Sequence, residues 1–357
     1  MRCQLHPIAV LGCGSSGMAT AGYLTQAGYR VILCDTAEQA GDFEPIRQQG
    51  GIILSSENGQ ETCIMPWLLT TDFAQALQNA DLVLVCVSAA RHQQLARIVA
   101  PLAGENHVFL LTPGNFGSFY FRRELDSLEK ESVVVGERCG CLWACRRRAP
   151  GKVFSASPLK EGAVATLPSR DTQKLIAAFQ GILPLKAGKN VLEVSLNSPN
   201  VISHVAGTVL NAAQVERQGE DFAFFQDGLS ESVIQTFALL EQERDEVLAK
   251  LALSVYGPPS EGLMRTLMGE NCPPGLLGFK SLEGPSSFSH RYVSEDAACG
   301  MAMLVSLGET YGVPVSLNRA YLTVAQSINR TDYLRQGRTL ENLCLTGLSP
   351  EELLEKL

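Results

Sequence analysis

Ile8-Ala9-Val10-Leu11-Gly12-Cys13-Gly14-Ser15-Ser16-Gly17 is the stretch that decides the fold. Its apolar start reads as a buried parallel strand that runs straight into glycines opening a helix. In that pattern the first glycine permits the tight turn and the second lets the backbone approach a pyrophosphate. The third lets the helix pack close against the strand. The helix N-terminus adds unpaired N–H groups and the positive end of its dipole. A glycine pattern by itself is weak. With a strand before it and a helix after it, Gly12, Gly14, Ser15, Ser16 and Gly17 read as the phosphate-binding turn of a dinucleotide site.

Working outward, Val31–Cys34 is the next buried run, and Asp35 ends it. A carboxylate at that spacing accepts hydrogen bonds from ribose hydroxyls and repels a 2′-phosphate. The alternative reading of Asp35 is a strand-end cap. No arginine follows it at once, so NAD(H) is favoured, with NADP(H) the alternative. Further buried strands are expected at 82–87 and 108–111, each after a helix, with Asp72 as a cap for the earlier helix. Thr112-Pro113-Gly114-Asn115 forms a loop at the carboxyl end of its strand, which adds Pro113 and Gly114 to the cofactor contacts. Residues 51–64 read as a hairpin with Asn58-Gly59 as its tight turn, and 133–135, 153–155 and 163–167 are expected to extend the sheet.

The texture changes near residues 185–195, beyond which helical periodicity dominates. Ser198 can cap a helix with Pro199 at its first position, and helices are expected over 229–253, 296–311 and 317–328. Ser349-Pro350-Glu351-Glu352 is a further helix start. The expected architecture is an α/β Rossmann-type dinucleotide-binding domain over residues 1–188, with a doubly wound sheet, then an all-α domain over 189–357.

A chain of 357 residues with 45% hydrophobic and 18% charged residues fits two ordinary globular domains. A net charge of -8 argues against nucleic acid and anionic membranes as partners, and no apolar run is long enough to span a bilayer. Most of the eleven cysteines sit in apolar runs, where cysteine behaves as a small hydrophobe. No second paired cluster accompanies Cys139-Gly140-Cys141, so no metal site is expected. The odd count and lack of a secretory leader point to a reducing cytoplasm. The chain is expected to be a monomer or a homodimer.

Chemistry-bearing residues gather in two later segments, Asn197-Ser198-Pro199-Asn200-Val201-Ile202-Ser203-His204 and His290-Arg291-Tyr292-Val293-Ser294-Glu295-Asp296. Taken alone, His204 on an apolar helix can be a satisfied core residue, Asn197 and Asn200 can be caps, and Asp296 can cap the helix beginning there. Taken together, they offer a proton donor near neutrality, a carboxylate to orient it and a guanidinium for an acid substrate.

These strings, with Gly12 onward, Thr112-Pro113-Gly114, Glu137, Trp143-Ala144-Cys145-Arg146, Phe224-Phe225-Gln226-Asp227-Gly228, Glu243-Arg244 and Gly337-Arg338-Thr339-Leu340-Glu341, resemble the octopine/opine dehydrogenases almost end to end. The resemblance implies NAD(P)H-dependent reductive condensation of an L-amino acid with a pyruvate-like α-keto acid, and the reverse oxidation. It implies His204 as general acid/base, Asp296 rather than Glu295 as its partner, and Arg291 near the substrate carboxylate. Asn200, Asn197 and Arg146 are further substrate-binding expectations, with the other arginines of Arg146-Arg147-Arg148 read as solvated loop charges. Val205, Trp143, Phe225 and Cys344 depart from the family pattern, the first three as substrate-pocket changes. A one-substrate reductase of the ketopantoate or 2-hydroxyacid type shares the architecture, but a lysine acid is expected in the ketopantoate type. A silent dinucleotide sensor would not need the polar set at His204, Arg291 and Asp296.

Overall fold

The computed structural model describes residues 6–156, 159 and 161–357. It divides into two compact units, Met1–Val191 and Leu192–Leu357. The first is built on an eight-stranded sheet in the order β12-β11-β8-β7-β6-β1-β2-β5. Its strands are β1 Ile8–Leu11, β2 Val31–Cys34, β5 Leu68–Thr70, β6 Leu82–Val85, β7 Val108–Leu111, β8 Val134–Arg138, β11 Gly162–Thr166 and β12 Leu185–Ala187. All neighbours are parallel except β8 and β11.

The strands read as continuous apolar runs because both faces are covered. Ile8 and Val10 pack on the side of helix α1, Ser15–Gln26, while Ala9 and Leu11 face the side of Leu95, Val99 and Phe121. Each large aliphatic or aromatic side chain so buried contributes about 1.5–3 kcal/mol. From β1 the chain goes to β2 on one side and later returns to β6 on the other. That reversal opens a crevice at the carboxyl ends of the strands, the usual ligand position in doubly wound sheets. Asp72 caps the helix Phe73–Asn79 as its sequence position predicts, accepting from the N–H groups of Ala74 and Gln75.

Two expectations change in the first unit. Residues 153–155 do not extend the main sheet: β10, Lys152–Ser155, belongs to a second sheet ordered β4-β3-β10-β9, with β3 Ile52–Ser56, β4 Glu61–Ile64 and β9 Cys145–Ala149. This sheet turns Leu54, Val153 and Cys145 into the same core as α1, and Gly22 of α1 leaves the room that Leu54 fills. The hairpin at 51–64 forms, but its loop is wider than an Asn-Gly turn. Ser55 pairs with Glu61, Ser56 N–H donates to the Gln60 carbonyl, and of Asn58 and Gly59 only the glycine takes a positive φ.

The second unit is helical, with Asn200–Leu210, Glu231–Lys250, Ala302–Tyr311 and Ser316–Asn329 among its longer elements. The helix expected from residue 296 starts earlier: Arg291–Asp296 continues through a π-helical stretch, Ala297–Met301, into Ala302–Tyr311. His290 occupies the N-cap, its Nδ1 accepting from Tyr292 N–H, so Asp296 lies inside the helix rather than capping it. Pro199 holds the N-cap position before Asn200, and the Ser198 hydroxyl is buried without a hydrogen-bond partner among the described residues. The helix Pro350–Glu355 begins with a full capping box between Ser349 and Glu352. No helix among the described residues is long and apolar enough to cross a membrane.

A methyl group on Gly17 would lie 1.7 Å from the Gly12 carbonyl oxygen, whereas one on Gly41 meets nothing within 4 Å. Gly17→Ala is therefore expected to lower unfolding stability by about 1–3 kcal/mol through overpacking. Gly41→Ala should be near neutral in the same urea melts.

Candidate active site

In the first unit the glycine turn has the form a dinucleotide requires. Gly12 adopts φ +118°, and any Cβ there would meet the Cys86 carbonyl oxygen at 2.7 Å. Gly14 is exposed with nothing within 4 Å of a would-be Cβ. An anion can therefore reach the backbone at the start of α1, which opens with Ser15 and Ser16. The Ser16 hydroxyl is buried and has no protein partner among the described residues. An open turn beside an orphaned hydroxyl fits a pyrophosphate. Pro113 and Gly114 lie in the loop after β7, following a cis Thr112–Pro113 bond. The fully buried Glu137 carboxylate ties that loop to β8 by accepting from Phe116 N–H at 2.9 Å and Ser118 N–H at 2.7 Å.

Asp35 stands at the carboxyl end of β2, 2% exposed. Its Oδ2 accepts from Cys13 N–H of the glycine turn at 2.7 Å, and its Oδ1 from Thr36 N–H at 2.8 Å. The Arg91 guanidinium grips both oxygens, Nη2 to Oδ1 at 2.7 Å and Nη1 to Oδ2 at 3.4 Å. The sequence search for an arginine immediately after Asp35 misses it. Arg91 arrives from the short 3-10 helix Ala89–Arg91 beyond β6, and only the β2-β1-β6 strand order makes the two neighbours.

The second unit brings together residues that are far apart in the chain. His204, one turn into Asn200–Leu210, places Nδ1 2.7 Å from Asp296 Oδ2, both side chains being almost fully buried. The helices approach closely because Gly300, in the π-helical stretch, rests on Val201, and a Cβ there would sit 2.6 Å from the Val201 side chain. The imidazole stacks on Tyr292 with centroids 3.4 Å apart, and Phe224 stands edge-on to both rings. Arg291 lies half-buried at the start of the same helix as Asp296, its guanidinium 5.3 Å over the Tyr292 ring. Burial pushes the Asp296 carboxyl up to about 7, against the opposing pull of the Arg291 charge. A carboxylate and an imidazole of similar proton affinity titrate as a unit. Nδ1 is thereby the ring nitrogen turned to the carboxylate, with Nε2 on the far side of the ring.

The remaining expected residues are placed differently. Asn200 is partly exposed, one helical turn before His204 and so on the same face. Asn197 is committed to the framework. Its amide N–H groups donate to the carbonyls of Glu193 and Ser254, both at 2.8 Å, and its oxygen accepts from Tyr256 N–H at 2.6 Å. Glu193, one turn earlier, takes Ser254 N–H and the Tyr256 hydroxyl. Arg146 lies on β9 in the first unit, with its guanidinium on the Cys145 carbonyl. Arg147 and Arg148, expected as loop charges, are on the same strand: Arg147 pairs with Asp42 and Arg148 covers Phe154. Trp143 stacks on Tyr23, and both line a first-unit cavity of about 650 Å³. Phe225 stacks on Phe279. Glu243 is a helix cap, accepting from the N–H groups of Leu317 and Asn318. Tyr292 and Arg91 are the residues that sequence reasoning passed over.

A glycine turn at a sheet reversal, with a carboxylate-oriented histidine in a helical unit, defines a nicotinamide-dinucleotide-dependent oxidoreductase. Residues 187–329 match the family described as NAD/NADP octopine/nopaline dehydrogenase, alpha-helical domain, and residues 8–156 match ketopantoate reductase PanE/ApbA. The chain is 31% identical over 355 residues to an opine dehydrogenase of Arthrobacter sp. (strain 1C), covering 96% of each. It is 23% identical over 365 residues to vitopine synthase of Allorhizobium ampelinum, covering 99% of each. Among solved structures, octopine dehydrogenase in complex with NADH and agmatine shares the fold with TM-score 0.68 at 18% identity, over 98% of this chain and 95% of the other. The chain belongs to the opine dehydrogenases, enzymes that act on the CH–NH group of their donors. Its reaction is the NAD(P)H-dependent reductive condensation of an amino group with an α-keto acid, together with the reverse oxidation.

Asn197→Ala removes three hydrogen bonds to the framework, each worth about 0.5–1.5 kcal/mol net. The expected outcome is a fall in melting temperature with the Michaelis constant for the keto acid little changed. A raised constant without loss of stability would restore Asn197 to substrate binding.

Proposed function

We propose that His204 Nε2 is the general acid/base of this opine dehydrogenase and that the enzyme joins an L-amino acid to pyruvate or a similar small α-keto acid. The observation that carries this reading is the 2.7 Å contact between His204 Nδ1 and Asp296 Oδ2. The carboxylate fixes the tautomer and stabilises the imidazolium, while the Tyr292 face and Phe224 edge hold the ring in one orientation and keep water from it. Arg291 receives the keto-acid carboxylate in bidentate fashion, and Asn200, on the His204 face, adds a donor to the same acid. His204 supplies a proton at the keto oxygen as the amine adds and water leaves; in the oxidative direction it takes that proton back.

In the first unit, Gly12, Gly14, Ser15, Ser16 and Gly17 take the pyrophosphate, Asp35 the adenosine ribose, and Pro113 and Gly114 the other end of the dinucleotide. When bound, that dinucleotide supplies the hydride. NAD(H) is the form that Asp35 favours. The match of residues 8–156 to ketopantoate reductase keeps one rival in view, a reductase acting on a keto acid alone. NADH oxidation with pyruvate should therefore require an added L-amino acid, and equal rates without amine would exclude the condensation.

His204→Ala is expected to cut kcat by about 10²–10⁴-fold, with the NADH dissociation constant unchanged by titration. Arg291→Ala should raise the Michaelis constant for the keto acid about 10–100-fold, the scale of a lost charge-assisted hydrogen bond, with a smaller effect on kcat. The raised Asp296 value means that the pair still holds a proton near neutrality. Condensation, which needs the protonated imidazole, falls as pH rises through the value of the pair, and oxidation rises over the same range. Asp296→Asn removes the counter-charge, so the descending limb of condensation should move to lower pH.

A further inference from the structure

We infer that Arg91 is a specificity-determining residue for the dinucleotide. Paired with Asp35, it admits a 2′-phosphate to a site whose acidic residues would otherwise reject one. The inference rests on the proposed use of Asp35 at the adenosine ribose and deepens it.

A carboxylate ending the second strand ordinarily excludes NADP(H) by charge repulsion. Here the carboxylate is not presented alone. Arg91 reaches across the carboxyl end of β1 from the turn after β6 and takes both Asp35 oxygens, while Cys13 and Thr36 N–H take one each. The local charge of the pair is zero. Asp35 is held by three separate groups and is 2% exposed, whereas the Arg91 side chain is 24% exposed. A guanidinium carries five N–H donors. Two of these meet Asp35, and the hydrogen bonds among the described residues give the Arg91 guanidinium no other acceptor. Three N–H groups are therefore available for phosphate oxygens at the ribose end of the glycine turn.

Glu38, exposed in the turn that follows β2, would add a second negative charge there. Its carboxyl is held below the usual range by its own backbone N–H and the Thr36 hydroxyl, with Arg91 adding to the effect. Arg91 is thus the cation positioned between two acids at the place where NADP(H) differs from NAD(H). The fixed geometry matters as well, because a guanidinium already oriented by one carboxylate loses little entropy on meeting a phosphate. Ribose hydroxyls, in contrast, carry no charge, and removing Arg91 would free two of the four acceptor sites of Asp35 for them, the other two being held by Cys13 and Thr36 N–H.

The test is calorimetric titration of the full chain with NADH, NADPH, 2′,5′-ADP and 5′-AMP, for the wild type and the variants Arg91→Gln, Arg91→Lys and Asp35→Asn, each checked by thermal melting. The wild type should bind NADH and NADPH, and 2′,5′-ADP at least as tightly as 5′-AMP. Arg91→Gln should weaken NADPH and 2′,5′-ADP about tenfold or more, the size of one lost charge-assisted hydrogen bond, and NADH less than about threefold. Arg91→Lys should recover part of the NADPH affinity, and Asp35→Asn should tighten NADPH. Equal weakening of NADH and NADPH by Arg91→Gln, with no recovery in Arg91→Lys, would make Arg91 a brace for Asp35 and overturn the inference. Binding of NADH but not of NADPH or 2′,5′-ADP by the wild type would overturn it while leaving the ribose role of Asp35 intact. Loss of binding for all four ligands in the wild type would overturn both.

Discussion

The hydrogen bond between His204 and Asp296 joins helices whose partner residues lie 92 positions apart, and it does so where almost no water reaches. Two consequences follow from that burial. An unpaired carboxylate there would be strongly destabilising, so the Asn200–Leu210 helix must present its histidine for the Arg291–Asp296 helix to hold its acid. The same desolvation raises the proton affinity of Asp296 toward that of an imidazole. Packing and chemistry therefore make one demand on these helices. Gly300 meets it by letting the π-helical stretch lie against Val201, and π-helical irregularities of this kind are frequent at functional sites.

The first unit solves a different problem, the display of backbone N–H groups to an anion. The steric facts at Gly12 and Gly17 leave no room for a side chain, while Gly14 opens outward. The strand order then gathers the ends of β1, β2 and β6 at one crevice. Asp35 and Arg91 link two of those ends and Cys13 N–H the third. The carboxyl end of β2 is therefore organised by an ion pair before any ligand arrives, and preorganisation of that sort reduces the entropy lost on binding.

Several family motifs turn out to serve the scaffold. Glu243 caps the helix Ser316–Asn329 through the N–H groups of Leu317 and Asn318, and Gly337 packs where a Cβ would meet the Ala298 carbonyl oxygen at 2.3 Å. Asn197 and Glu193 fasten the segment Ser254–Tyr256 to their own helix. A polar residue within a motif shared with enzymes reads as a substrate ligand in one dimension. In three dimensions its hydrogen bonds can be taken up by backbone, and for the Asn197 amide both N–H groups and one oxygen lone pair are.

What the sequence by itself determined is what a few neighbouring residues control. The glycine turn after β1, the Asp72 cap, the Ser349–Glu352 capping box and the change from strand to helical periodicity are all written in spacings of a turn or two, where backbone sterics and local hydrogen bonds act. The pattern of 153–155 identified a strand but not its sheet, because alternation records burial and not partners. Spacing alone does not choose Asp296 over Glu295, and the stacking of Tyr292 on His204 and the meeting of Arg91 with Asp35 were decided only by the tertiary structure. Each depends on side chains from separate elements converging within a few ångströms. That convergence is set by helix packing and strand order, which contiguous sequence spacing does not record.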